Sequence, residues 1–157
     1  MAGDPGPGRR LGIDVGAVRV GVALSDPAPL LASPLVTLPR DERDKTDIAK
    51  LVALIEEHEV VEVVIGLPKT LAGGHGSAAQ HASAYAEELA ARIRVPIRFA
   101  DERLSTVNAG RMLSDRGVRG RKQRSVIDQA AAVDILQTWL DARSNAAARG
   151  DLGREDT

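Results

Sequence analysis

The sequence predicts an α/β domain: a mixed five-stranded sheet, three antiparallel strands then two parallel ones, flanked by helices on both faces. Three observations carry this expectation. Alternating apolar runs crowd the first 40 residues, apolar residues then recur at helical spacing, and β-branched runs separate the helical stretches. At 157 residues there is room for one domain with a proper core.

Taken in order, Met1 to Gly8 is rich in proline and glycine and is expected to be disordered. The first strand should run from Arg10 to Val15 and the second from Arg19 to Ser25, with Gly16-Ala17-Val18 making them a hairpin. A third strand is expected at Leu35 to Leu38, bounded by Pro34 and Pro39. The period then changes: Ile48, Leu51, Val52 and Ile55 mark an amphipathic helix over about Asp44 to Glu59. Val60 to Leu67, nearly all apolar, reads as a strand covered on both faces. A helix from Ser77 to Ile93 follows a glycine-rich loop, and Pro96 to Ala100 forms the fifth strand, ending in Asp101-Glu102. Ser105 to Ser114 reads as a short helix and Ser125 to about Arg143 as the last one, with a loose polar tail over 144–157. One domain is therefore expected over residues 9–143. Two strand–helix crossovers after an antiparallel meander give the ribonuclease-H-like order.

Within the first strand, alternation sends Leu11, Ile13 and Val15 one way and Gly12, Asp14 and Gly16 the other. Asp14 is thus flanked on its own face only by glycines, which leaves open space around it. A carboxylate there costs several kcal/mol to desolvate unless paired or metal-bound. The spacing points to a site; an Asp capping a turn at the strand end is the bland alternative.

Composition removes several function classes. With no cysteine, disulfides, thiolate metal sites and cysteine nucleophiles are excluded. One Trp, one Tyr and one Phe are too few for a single-strand binder that stacks bases on aromatics. A net charge of −1 provides no global field for nucleic acid, so such binding must use local patches. His58, His75 and His81 lack metal-ligand spacing, His58 falling at a helix C-terminus. With neither a membrane-length apolar run nor a signal segment, a cytoplasmic location and no membrane partner are expected.

Other acids can join Asp14. Asp101 and Glu102 sit at the C-terminal end of a parallel strand, where open α/β sheets place ligands, and alternation lets at most one of them reach Asp14. Position alone does not choose between them, and a solvated turn is the competing reading. On the last helix, Asp128 shares a stripe with Ala131, Ala132, Ile135 and Trp139, whereas Asp134 falls with Gln137, Thr138 and Asp141 on a solvated face. Asp128 is the candidate ligand, against the alternative of an acid favoured by the helix dipole.

With these residues in view, the chain resembles the YqgF/RuvX family, whose members are described as Holliday-junction resolvases and as nucleases maturing the 5′ end of 16S ribosomal RNA. The resemblance rests on four segments in order. Gly12-Ile13-Asp14-Val15-Gly16 is followed by Arg19 to Ser25, then Val64-Ile65-Gly66-Leu67-Pro68, Asp101 to Thr106, and Asp128-Gln129-Ala130-Ala131-Ala132. It implies catalytic, metal-binding acids at Asp14, Glu102 and Asp128, holding Mg²⁺ or Mn²⁺. The resemblance, not the spacing, prefers Glu102 to Asp101. Better-known bacterial junction resolvases of the fold carry an acid at the end of the fourth strand, where this chain has Gly66-Leu67-Pro68.

Substrate contacts are expected on two loops. Gly66 to Ser77, containing Lys69, leads into a helix and can hold phosphate through backbone N–H groups, although it is no P-loop. Arg116 to Arg124 places five cations (Arg116, Arg119, Arg121, Lys122 and Arg124) in nine residues beside the helix of Asp128. Arg19 and Arg103 add contacts near the acids. The leading expectation is a metal-dependent endonuclease acting on structured nucleic acid, most simply in 5′-end processing of pre-16S ribosomal RNA. Its rivals are a resolvase of four-way DNA, expected to be a homodimer because two strands are nicked together, and a non-catalytic RNA- or ribosome-binding factor. A sugar-kinase-like ATPase would need two such domains.

Overall fold

The computed structural model describes the backbone of residues 4–67, 77–101 and 121–154, with side chains for 4–67, 80–100 and 129–146. In chain order the elements are β1 (Arg10–Val15), β2 (Arg19–Ser25), β3 (Ala32–Pro39), α1 (Thr46–Glu57), β4 (Glu62–Leu67), α2 (Ser77–Ala90), β5 (Ile97–Asp101) and α3 (Arg121–Arg154). The sheet runs β3-β2-β1-β4-β5. The first three strands pair antiparallel, and β4 and β5 join β1 in parallel. This is the mixed sheet expected from the sequence. The helix expected over Ser105 to Ser114 lies outside the described residues.

Alternation along β1 sets up two cores. Leu11 and Ile13, with Val20, Val22, Val63 and Ile65, face Ile48, Leu51 and Ile55 of α1 and Tyr85, Ala86 and Leu89 of α2. Each fully buried aliphatic side chain is worth about 1.5–3 kcal/mol relative to exposure, so this layer holds most of the sheet. On the reverse face, Ala23 and Val64 meet Ala132, Ile135, Leu136 and Leu140 of α3. Among the described residues no helix is long and apolar enough to cross a membrane.

Several boundaries differ from expectation for identifiable reasons. β3 reaches from Ala32 to Pro39 and contains the two prolines expected to bound it. It is an edge strand, where a missing N–H need not break a ladder. A register shift between Val22 and Ala23, which pair with Val36 and Pro34, leaves Leu35 as the extra residue of a bulge. α1 is shorter than expected because Lys45 (φ 58°) and Glu59 (φ 53°) are left-handed at its two ends. Asp41 organises its start, accepting the Thr46 hydroxyl at 2.7 Å, and His58 caps its end.

Both ends of the chain include described structure. Helix α3 continues through Arg154, across most of the segment expected as a tail. Ala146-Ala147-Ala148 sustains it, alanine being the best helix former, and Gly150 does not break it. Residues 4–8 lie against Arg10. Arg10 is fully buried on β1, and its guanidinium needs acceptors. Glu62 accepts Nε at 2.9 Å, the Gly6 and Gly8 carbonyls accept Nη1 at 2.6 and 3.1 Å, and Asp4 accepts Nη2 at 3.2 Å. Asp4 also accepts Arg143 Nε of α3 at 2.8 Å.

Candidate active site

Asp14 lies on the sheet face covered by α3, half-buried, one residue before the end of the central strand β1. Its antiparallel neighbour is Gly21, and Gly21 in turn pairs with Thr37. On its other side the recorded β1–β4 pairing ends at Ile13↔Ile65, so the next residue in register is Gly66, which pairs with Ala100. A carboxylate thus stands among residues with little or no side chain.

The flanking glycines serve a purpose other than leaving space around the acid. A Cβ on Gly12 would fall 2.6 Å from Leu136 Cβ and 3.2 Å from the Ala132 carbonyl. One on Gly16 would fall 2.7 Å from the Arg19 carbonyl, which accepts the Gly16 N–H at 2.8 Å. Two backbones come close here: α3 fills the first glycine's space and the hairpin fills the second's.

That contact orients α3. Gln137 accepts the Ala32 N–H at 2.8 Å and donates to the Leu30 carbonyl at 2.9 Å, whereas Gln129, two turns earlier, donates to Thr37 Oγ1 at 2.9 Å. The helix therefore runs from the Thr37–Gly21–Asp14 row toward the Arg10 row. Asp128 is the residue before Gln129 and one turn before Ala132, so α3 carries that position to the Asp14 end of the sheet; its side chain lies outside the described residues. The stripe of Asp134, Gln137 and Asp141 is not simply solvated: Gln137 is bound to the β2–β3 connection, and Asp134 is half-buried. The sequence treated that stripe as surface because its partner, a backbone loop about 105 residues away, leaves no periodic signal.

The remaining expected positions divide by element. Arg19 begins β2 on the same face as Gly21 and Asp14. Asp101 ends β5, paired with Leu67, and Glu102 follows outside the described residues. Lys69, Arg103, Arg116 and Arg119 also lie outside them. Arg121, Lys122 and Arg124 occupy the first turn of α3, a turn without an acidic residue. Among the described residues no three His, Asp or Glu groups come together as a metal cluster.

The sequence missed a polar group behind the site. Arg40, just after β3, donates through Nη1 to the Gly16 carbonyl at 2.8 Å and stacks 5.1 Å from the Tyr85 ring centre. The Tyr85 hydroxyl donates to Asp47 Oδ2 at 2.8 Å. Burial, reinforced by the Asp47 carboxylate, pushes that hydroxyl well above the usual phenol range and keeps it a donor. Arg40, Asp47 and Tyr85 sit on different elements, so only the fold unites them.

Known proteins agree with this architecture. The profile of the family RuvX, described as "Holliday junction resolvase", matches residues 8–142. A "Putative pre-16S rRNA nuclease" of Nocardia farcinica is 58% identical over 149 residues, covering 91% of this chain and 83% of its own. A protein of the same name from Mycolicibacterium smegmatis is 56% identical over 150 residues, covering 94% and 88%. A third, from Rhodococcus opacus, is 53% identical over 154 residues, covering 96% and 86%. The structure "T. thermophilus RuvC in complex with Holliday junction substrate" superimposes with a TM-score of 0.56 at 14% identity, over 87% of this chain and 96% of that one, a likeness of fold. The mixed sheet, the glycine-flanked acid of its central strand and the match over residues 8–142 lead to one conclusion: this chain belongs to the RuvX family.

Proposed function

We propose that the protein is a metal-dependent endonuclease that hydrolyses phosphodiesters in structured nucleic acid, with the 5′ end of 16S ribosomal RNA precursor as its substrate and the cytoplasm as its place of work. The nuclease domain spans residues 9–143. The observation that carries this reading is Asp14 itself: a half-buried carboxylate on the central strand, beside Gly21 and beneath the helix that bears position 128. The names of the relatives from Nocardia, Mycolicibacterium and Rhodococcus support the substrate.

The donor set fits a hard divalent cation, since Asp14, Glu102 and Asp128 offer only carboxylate oxygens. Bound Mg²⁺ or Mn²⁺ would supply a lowered pKa for water and charge stabilisation on the phosphate oxygens. The chain's own contribution is positional. β1 holds Asp14 at the sheet centre, Gly12 allows α3 to approach, and Arg19 stands on the same face to meet a phosphate. Arg121, Lys122 and Arg124 on the first turn of α3, with Lys69, Arg103, Arg116 and Arg119, would track the backbone of the substrate, making binding steeply salt-dependent.

A second reading, resolution of four-way DNA by a homodimer, is favoured by the family description and the RuvC likeness. One experiment separates them: purified protein, with Mg²⁺ or Mn²⁺, is given a 16S precursor fragment and a four-way DNA junction, beside Asp14→Asn. The expected outcome is metal-dependent cutting of the RNA, lost in D14N with binding retained. Normal cutting by D14N would refute the metal assignment. Salt-sensitive binding without cleavage in either metal would leave a binding factor.

A further inference from the structure

We propose that Arg40 is a positioning residue for Asp14, holding the end of β1 in register from the opposite side of the sheet; this rests on the reading of Asp14 as a metal-binding acid. Pairing with β4 is recorded only as far as Ile13↔Ile65. Beyond that point the ladder described for the strand that carries Asp14 is the one with β2, and the strand turns almost at once into the 16–18 link. Two carbonyls of that link, those of Gly16 and Val18, accept from Arg40. Its backbone N–H donates to the Val18 carbonyl at 2.8 Å, and its Nη1 donates to the Gly16 carbonyl at 2.8 Å. Gly16 is two residues from Asp14, close enough for a backbone displacement to move the carboxylate.

The anchor is itself fixed. The Arg40 side chain is 14% exposed, stacked on Tyr85, with Nε 3.9 Å from Asp47 Oδ2 and Nη2 3.3 Å from Glu42. Asp47 is 2% exposed; Oδ2 receives the Tyr85 hydroxyl, while Oδ1 has no hydrogen-bond partner among the described residues. A buried carboxylate of this kind needs the guanidinium nearby, which locks Arg40 over the α1–α2 layer. Lysine cannot replace it, because a single ammonium cannot reach the Gly16 carbonyl while lying flat on the ring and facing Asp47.

The test compares the wild type with R40K, D47N and R40M/D47N. The double variant removes the guanidinium without stranding a buried charge, so the fold should survive. Amide hydrogen exchange at Gly16, whose N–H is bound to the Arg19 carbonyl, reads the tether directly and without metal. Mn²⁺ affinity is read by paramagnetic broadening, and cleavage is resolved into kcat and KM. R40M/D47N and R40K should exchange at Gly16 about tenfold faster than D47N, bind Mn²⁺ about tenfold more weakly and lose kcat with KM unchanged, the scale expected when a group supporting a metal ligand is removed. Gly16 exchange in R40M/D47N equal to that in D47N overturns the proposal, as does an exchange change spread evenly over the sheet. Failure of the metal reading shows differently: wild type and D14N would bind Mn²⁺ alike, while the Gly16 exchange still judges the tether.

Discussion

The sheet face under α3 carries charge at both ends, and the two ends are built in opposite ways. At one, Arg10 and Glu62 are fully buried in adjacent strands, and every partner is in place: Arg98 Nε meets Glu62 Oε2 at 2.7 Å, and the Arg10 N–H meets Ser25 Oγ at 2.7 Å. At the other, Asp14 is half-buried among Gly21, Gly66 and Ala100. Enclosed charges with complete coordination are structural and can do little else. The Asp14 end keeps small neighbours and an acid at the rim, which suits the cation site proposed above.

The sharpest way to break this comparison is to damage both ends equally. Glu62→Ala strands Arg10 and should cost about 3–5 kcal/mol, as loss of one partner of a buried pair does. Asp14→Asn should alter stability by no more than about 1 kcal/mol. Urea denaturation of the two variants decides it: comparable losses would show that Asp14 too is part of the framework.

A smaller effect is expected where the helix touches the strand. Gly12→Ala places a methyl 2.6 Å from Leu136 Cβ, and overpacking of this kind costs about 1–3 kcal/mol. Leu136→Ala in the same chain should recover part of the loss, the mark of a shared contact. Additive losses in thermal melts would instead mean that α3 does not rest on Gly12.

The smallest concerns acid. Arg143's hydrogen bond, followed by the Gly6 N–H and the charges of Arg143 and Arg10, lowers the Asp4 pKa to about 2. A depressed carboxylate stabilises the fold fully above its unfolded value of 3.8, and the contribution is lost as pH falls toward about 2. Asp4→Asn should therefore be less stable than the wild type at pH 6, the gap narrowing between pH 4 and 2. A gap independent of pH would remove Asp4 from the ion pair.

Much of this was legible in the chain. β1 and β2 follow from alternation alone, and the stripe of Ala132, Ile135 and Trp139 packs on the sheet as its helical spacing predicts. What escaped involves partners distant in sequence. Glu62 lies inside a run that reads as apolar because its cations come from β1 and β5, and Arg40 reads as an ordinary loop residue until Tyr85 and Gly16 meet it. Pro34 and Pro39 look like strand boundaries until the sheet order makes β3 an edge. The choice of Glu102 over Asp101 came from family resemblance, and the side chain that would test it lies outside the described residues.

The ion pair between Asp4 and Arg143 joins positions 139 residues apart. Bringing such remote segments together before the sheet exists would carry a large loop-closure entropy, so the pair should form after the folding barrier is crossed. An interaction absent from the transition state leaves the folding rate nearly untouched and slows unfolding instead. The short N-terminal segment therefore acts as a kinetic latch, setting how long the molecule stays closed more than how quickly it assembles.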